Sequence, residues 1–149
     1  MEIINSAHLH ILLNHLPITF VILGLIVLLS GYIFKSEITK RIASLVFIFG
    51  TVFGFVSLYT GENAKVVIKG LKGFDARIVT THEDTALEFL TFLYILGILS
   101  IINLWLRWKR KSFYKVVHVF VVLTAIVSIY FAIKAGISGG LISHSEIIN

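Results

Sequence analysis

The chain has 149 residues, enough for one domain, and 57% of them are hydrophobic while only 14% are charged. Soluble domains contain about 45–50% apolar and about 25% charged residues, so both a soluble globule and a disordered chain are excluded. The absence of cysteine excludes disulfides, iron–sulfur clusters, thiolate metal sites and covalently attached haem. The net charge of +5 is better explained by membrane topology than by nucleic acid, which we do not expect as a partner.

Four apolar stretches predict four membrane-spanning helices, because each is close to the ~17–25 residues that cross a bilayer. They cover residues 18–34, 42–59, 86–108 and 116–133. The predicted fold is therefore an all-α, up-and-down transmembrane four-helix bundle. Residues 1–149 form a single integral membrane domain in this prediction, with the lipid bilayer as its main partner.

The 60–85 loop between the second and third spans contains helical signals of its own. Ala64, Val67, Ile68 and Leu71 recur at helical spacing, which predicts a short amphipathic helix in this loop. Thr81, followed by His-Glu-Asp, has the features of an N-cap, which predicts that the third long helix begins there. No internal repeat is evident. Five glycines are expected to allow close helix approach in lipid: Gly24, Gly31, Gly50, Gly54 and Gly97.

Lysine and arginine residues indicate the orientation of the chain. The loop after the first span and the loop after the third span hold most of the basic residues, and cytoplasmic loops carry such an excess. We therefore expect both short loops to be cytoplasmic, and both termini and the 60–85 loop to lie outside. Trp105 and Trp108 then fall at the inner interface. The N-terminal segment lacks the basic start of a cleavable signal peptide.

This topology places five of the six histidines on the outer side, at helix ends that a compact bundle brings together. They are His8, His10, His15, His82 and His144, and we interpret His8, like the inner-side His118, as structural. Carboxylates accompany them at the same helix ends: Glu62, Glu83 and Glu146. Imidazole and carboxylate together bind zinc or iron, whereas imidazoles from two segments form the ligand set of a six-coordinate b-type haem.

Helix geometry limits which histidines can act together. His8 and His15 are separated by about 10 Å of helical rise, so they can neither share one ion nor ligate one haem from opposite faces. Pairs from different segments remain, first His15 with His82 and next His10 with His144. The three carboxylates would orient the imidazoles or serve as proton sites. No ionisable residue lies in the middle of a span, which disfavours a transporter.

Four short motifs carry a resemblance to a known family. They are LHILLNHLP at residues 9–17, YTGENA at 59–64, THE at 81–83 and GISGGLISHSE at 136–146. Together they resemble a family of small bacterial four-span membrane proteins of unknown function. The chain is also similar to a larger group that begins its first span with an HxPI motif. Members of that group can be fused to c-type cytochrome domains.

The resemblance covers nearly the whole chain and implies a b-type haem or another redox role. It points to these positions: His10, His15, Glu62, His82, Glu83, His144 and Glu146. Asn63 and Ser145 stand where relatives tend to carry proline. The glycines at 136, 139 and 140 would let the backbone approach a flat macrocycle, or would simply mark a helix terminus.

The leading hypothesis is a b-type haem protein at the outer face of the bacterial inner membrane. It would pass electrons between quinol and an outer-side cytochrome or another redox partner. One alternative is a non-haem zinc or iron enzyme, in which three histidines and a carboxylate activate water. The other is a cofactor-free assembly subunit of a larger complex. A homo-oligomer is compatible with each of these hypotheses.

Overall fold

The computed structural model describes residues 6–68 and 75–143, and these form helices joined by short turns. The helices are α1 (Ser6–Leu13), α2 (His15–Ile33), α3 (Glu37–Ile68), α4 (Ala76–Trp108) and α5 (Tyr114–Ser143). With α1 and α2 taken as one span, four helices are long and apolar enough to cross a membrane. The predicted all-α four-helix membrane bundle is thereby confirmed.

The first span is divided into α1 and α2 at Asn14 because of a proline three residues further on. Pro17 has no N–H to donate to the carbonyl of Leu13, and its ring crowds that carbonyl. The Asn14 N–H still donates to the His10 carbonyl at 2.8 Å, so the chain keeps a nearly helical course. α1 packs against α3, which places His10 beside that helix.

The long helices pack in chain order, with α2 on α3, α3 on α4 and α4 on α5, while α2 and α5 touch only lightly. The core between them contains fully buried apolar side chains, among them Val21, Phe47 and Leu93. Large apolar side chains such as Ile33 and Phe49 are instead more than half exposed, at 74% and 57%. In a bilayer such an apolar outer surface faces lipid.

All five glycines expected at helix contacts lie against a neighbouring helix, so that prediction is confirmed. A Cβ atom at Gly24 would overlap the ring of Phe47, and one at Gly97 would overlap the side chain of Thr51. At the second of these contacts the Thr51 hydroxyl donates to the Leu93 carbonyl at 3.1 Å, which joins α3 to α4. Small residues of this kind allow the close backbone approach on which helix packing in lipid depends.

The two short loops turn the chain in the same way. Lys35 has φ 51° and Arg110 has φ 52°, a left-handed conformation that costs roughly 1–2 kcal/mol for a residue other than glycine. Around Lys35, the Ser36 N–H donates to the Gly31 carbonyl at 2.9 Å, which closes the helix end as a Schellman motif. The α4–α5 turn repeats this pattern. A basic side chain at these positions also interacts favourably with the helix C-terminus.

The structure does not show a separate amphipathic helix after the second span. Ala64, Val67 and Ile68 belong to the last turns of α3, which continues without interruption as far as Ile68. Leu71, the fourth residue of the predicted apolar face, lies outside the described residues. The three described residues of the predicted apolar face therefore extend the second long helix and do not belong to a separate element.

The start of the third long helix is also earlier than expected, so the prediction of Thr81 as its N-cap is wrong. α4 begins at Ala76, and the Asp75 carboxylate accepts from the Arg77 N–H at 2.8 Å. An aspartate that bonds to the first free N–H groups stabilises a helix start. As a result His82 lies on a continuous helix and not at its fraying first turn.

The helices are longer than a bilayer requires. α3, α4 and α5 contain 32, 33 and 30 residues, whereas about 20 residues cross a hydrocarbon core of about 30 Å. Several residues at the helix ends therefore extend beyond the core. His82 and its partners described below lie in such end segments, where the side chains can be ordered by contacts between helices.

Candidate functional site

A cavity of about 400 Å³ lies among the ends of the helices, on the side where α3 ends and α4 begins. Residues from all five helices line it, and most of the lining side chains are apolar. Three histidines also line it, His10, His15 and His82, and we call it the histidine cavity. Its size falls within the range of about 300–1,000 Å³ that is typical of small-molecule and cofactor sites.

The ring of His10 is held by a hydroxyl group on α3. Its Nδ1 atom lies 3.1 Å from Thr60 Oγ1, and that hydroxyl donates to the carbonyls of Val56 and Ser57 at 3.0 and 3.1 Å. Because the hydroxyl proton is used by the backbone, its oxygen accepts from the imidazole. We therefore assign the ring proton to Nδ1, which leaves the lone pair on Nε2.

The ring of His82 is held in the same way by a hydroxyl group on α5. His82 Nδ1 lies 3.1 Å from Ser138 Oγ, which donates to the Ala135 carbonyl at 3.0 Å. Thr85 Oγ1, at 2.6 Å from Ser138 Oγ, further fixes that hydroxyl and itself donates to carbonyls of its own helix. The same assignment follows, with the ring proton on Nδ1 and the lone pair on Nε2.

A glycine follows the hydroxyl residue in both helices and lies against the imidazole. A Cβ atom at Gly61 would lie 3.1 Å from His10 Cε1, and one at Gly139 would lie 3.0 Å from His82 Cε1. Both distances are shorter than ordinary van der Waals contact, so a larger residue would displace the ring. The imidazoles can take these positions because the neighbouring backbone carries no side chain there.

The structure thus contains the same arrangement twice, although the sequence shows no repeat. A histidine on one helix meets a hydroxyl–glycine pair on another, Thr60-Gly61 in α3 and Ser138-Gly139 in α5, at separations of 50 and 56 residues. The rings of His10 and His82 are also close enough for a charge on one to act on the other. Two separate helix pairs therefore each contribute one oriented imidazole to a single cavity.

The remaining predicted histidines are placed differently. The His15 side chain is exposed at the edge of the histidine cavity, and within residues 6–68 and 75–143 its ring makes no hydrogen bond. His144 and Glu146 lie outside the described residues. Among the described residues, the structure holds the rings of His10 and His82 by hydrogen bonds to neighbouring helices, whereas His15 lines the same cavity with an exposed side chain.

The two described carboxylates of the site, those of Glu62 and Glu83, make no hydrogen bond to the imidazole of His10 or His82. Glu83 forms an ion pair with Lys65 at 2.6 Å, which joins α3 to α4 beside the histidine cavity. Glu62 lines the cavity with an exposed side chain. In the described part of the chain, the side chains that contact Nδ1 of the two rings are those of Thr60 and Ser138. The sequence signal for both is only a hydroxyl residue followed by glycine.

Among the described residues, two oriented imidazoles, those of His10 and His82, line the cavity. In the part of the chain that the structure describes, no three His, Asp or Glu side chains are grouped so that they could hold a metal ion. Two imidazoles from different helices are the ligand set of a six-coordinate b-type haem.

Comparisons with known proteins do not identify the chain: no family model, no curated protein and no solved structure matches it. The resemblance to small four-span membrane proteins therefore stays a prediction.

The hydroxyl contacts make a testable prediction about the ring tautomers. In cofactor-free protein labelled with ¹⁵N-histidine, we expect His10 and His82 to carry their proton on Nδ1. Thr60→Val removes the acceptor at His10, so His10 should shift towards the Nε2–H tautomer while His82 keeps its Nδ1 proton. Ser138→Ala removes the acceptor at His82, so His82 should shift and His10 should stay unchanged. The ¹⁵N chemical shifts of the ring nitrogens report the tautomer directly. Wild-type rings protonated on Nε2 would contradict the assignment.

Proposed function

We propose that the protein binds one b-type haem through His10 and His82 and uses it for electron transfer at the membrane. The observation that carries the proposal is the matched orientation of the two rings, each with Nδ1 at the hydroxyl of a neighbouring helix and with the lone pair assigned to Nε2 in the same cavity. A six-coordinate haem iron needs one such lone pair on each side of the macrocycle.

The chemistry of the surrounding residues fits this cofactor. The hydroxyls of Thr60 and Ser138 fix the ring orientation and increase the basicity of the imidazoles, as the outer partners of metal-bound histidines do. Gly61 and Gly139 keep the space beside the rings free of side chains. When bound, the haem would supply one-electron chemistry, while the chain supplies the ligands and an apolar environment.

The pairing differs from the first expectation because His10, and not His15, is oriented by a partner. A ligand that is already ordered loses little conformational freedom on binding, so an ordered imidazole is the better ligand. Lys65 also lines the cavity, and its positive charge is compensated by the Glu83 carboxylate. The redox partners are proposed on the resemblance alone: quinol as the membrane donor and an outer-side cytochrome as the acceptor.

We further propose that the protein lies in a bacterial inner membrane with the histidine cavity and both termini on the outer side. The basic residues of the two tight turns support this orientation, since Lys35 and Arg110 both occur at the end of the bundle opposite the cavity. Cytoplasmic ends of membrane helices carry this excess of lysine and arginine. Multi-span helical proteins are also typical of the inner and not the outer membrane.

Cysteine labelling can test the orientation without background signal, because the sequence contains no cysteine of its own. We expect a membrane-impermeant maleimide to label Arg77→Cys in spheroplasts, because residue 77 is exposed near the start of α4. Ser112→Cys, in the α4–α5 turn, should be labelled only after the membrane is opened. The reverse labelling pattern would place the cavity in the cytoplasm and contradict the proposed orientation.

Absorption spectroscopy tests the cofactor. Protein purified from haem-replete cells should show a Soret band, and reduction with dithionite should produce sharp α and β bands. We expect His10→Ala and His82→Ala each to lose this six-coordinate spectrum and to lower haem content by more than about tenfold, because removing a ligand costs more than removing its outer partner. Elution of the variants at the wild-type volume in size-exclusion chromatography controls for folding.

His15→Ala is the matched control, since its ring lines the same cavity without a hydrogen-bond partner in the described residues. It should retain the wild-type spectrum and haem content. A colourless wild-type preparation would overturn the haem proposal, and loss of haem in His15→Ala but not in His10→Ala would overturn the pairing.

A further inference from the structure

A second cavity, of about 280 Å³, lies at the opposite end of the bundle from the histidine cavity. On α4, Arg107 lines this second cavity and His82 lines the first, and the intervening helix spans roughly 37 Å. The two cavities are therefore separate sites, and the proposed haem does not account for the second one. Its lining residues include these charged or polar side chains: Tyr32, Glu37, Lys40, Arg107, Lys115 and His118.

The most informative of these residues is His118, which the sequence suggested was structural. Its side chain is almost completely buried, at 6% exposure, with its ring 5.8 Å from the ring of Tyr32. Within residues 6–68 and 75–143 neither ring nitrogen has a hydrogen-bond partner. Buried polar groups are normally satisfied, so an imidazole that lines a cavity without a partner indicates a ligand that would accept its N–H.

The charges around His118 are predominantly positive. The Glu37 carboxylate binds both Lys40, at 2.7 Å, and Arg107. Lys115 lines the same cavity and forms no ion pair with another described residue. Three cations therefore surround a single carboxylate, and this imbalance favours a ligand with negative charge.

The central cation of the site is fixed before any ligand binds. Arg107 is 8% exposed, and its Nε donates to Asn103 Oδ1 at 3.0 Å. Asn103 in turn donates to the Tyr114 carbonyl at 2.9 Å, while the guanidinium stacks on the Tyr114 ring at 4.2 Å. These contacts join α4 to α5 and hold the guanidinium in place, so the cavity is a built site and not a group of mobile surface lysines.

We propose that this second cavity binds the phosphate group of an anionic phospholipid. Lys115 and Arg107 would balance the phosphate charge, and the His118 N–H would donate to one of its oxygens. Basic pockets between the cytoplasmic ends of membrane helices bind lipid headgroups in this way. The proposal does not depend on haem binding.

The surface beside the cavity favours a lipid as the source of the phosphate. Val119 lines the cavity, and it begins a row of exposed apolar side chains along α5 that continues through Leu123, Ile126 and Tyr130. These residues share one face of the helix, because they follow one another at intervals of three and four. An acyl chain would lie along this row while its headgroup occupies the cavity.

Native mass spectrometry in detergent with equal amounts of phosphatidylglycerol and phosphatidylcholine tests the proposal. The wild-type protein should retain phosphatidylglycerol in preference to phosphatidylcholine. Lys115→Gln should reduce this preference about fivefold, the effect expected of one lysine at an anionic lipid. His118→Leu should reduce it as well, because leucine keeps an apolar side chain of similar volume but has no N–H to donate to the phosphate.

Lys111→Gln is the matched control, because Lys111 is an exposed lysine of the α4–α5 turn, four residues before Lys115, and does not line the cavity. It should leave the preference unchanged. Equal retention of the two lipids by the wild type, or an equal loss in Lys111→Gln and Lys115→Gln, would overturn the proposal. A separate titration with inorganic phosphate tests whether the cavity takes the phosphate of a lipid or free phosphate. If millimolar phosphate displaced phosphatidylglycerol, the proposal that the phosphate belongs to a lipid would be overturned.

Discussion

A neutral imidazole has one N–H and one lone pair, and an acceptor at Nδ1 fixes the proton there, so that Nε2 presents its lone pair to the cavity. The histidine cavity depends on this constraint. The hydroxyl oxygens of Thr60 and Ser138 accept from Nδ1–H of His10 and His82, because each hydroxyl donates its own proton to a backbone carbonyl. A glycine beside each hydroxyl makes room for the ring. The proposed haem site follows from these few contacts between helices.

The helices around the site serve to bring these contacts into register. α1 packs on α3, and α3 and α4 are longer than a bilayer core requires, so their ends can carry contacts between helices. At the opposite end of the bundle, the side chains of Lys40, Arg107 and Lys115 concentrate positive charge. The bundle thus has a mostly apolar cavity with three histidines at one end and a group of cations around Glu37 at the other.

The sequence predicts the bundle well because hydropathy reports contact with lipid directly, and the glycine contacts follow from the same physics. It does not predict helix ends, since hydropathy does not reveal where backbone hydrogen bonding stops. Thr81 resembles an N-cap, yet Asp75 holds that position. The pairing of His10 with Thr60 across 50 residues depends on helix register, which no local pattern encodes. Hydroxyl and glycine residues are also too common in membrane helices to stand out.

The central claim is that His10 and His82 together ligate a single iron. Electron paramagnetic resonance of the oxidised, purified protein tests it most directly, because the spin state of ferric haem reports the number and kind of its axial ligands. The account predicts a low-spin signal of iron with two imidazole ligands in the wild-type protein. A high-spin haem signal, or a low-spin signal that persists when both histidines are replaced by alanine, would contradict it.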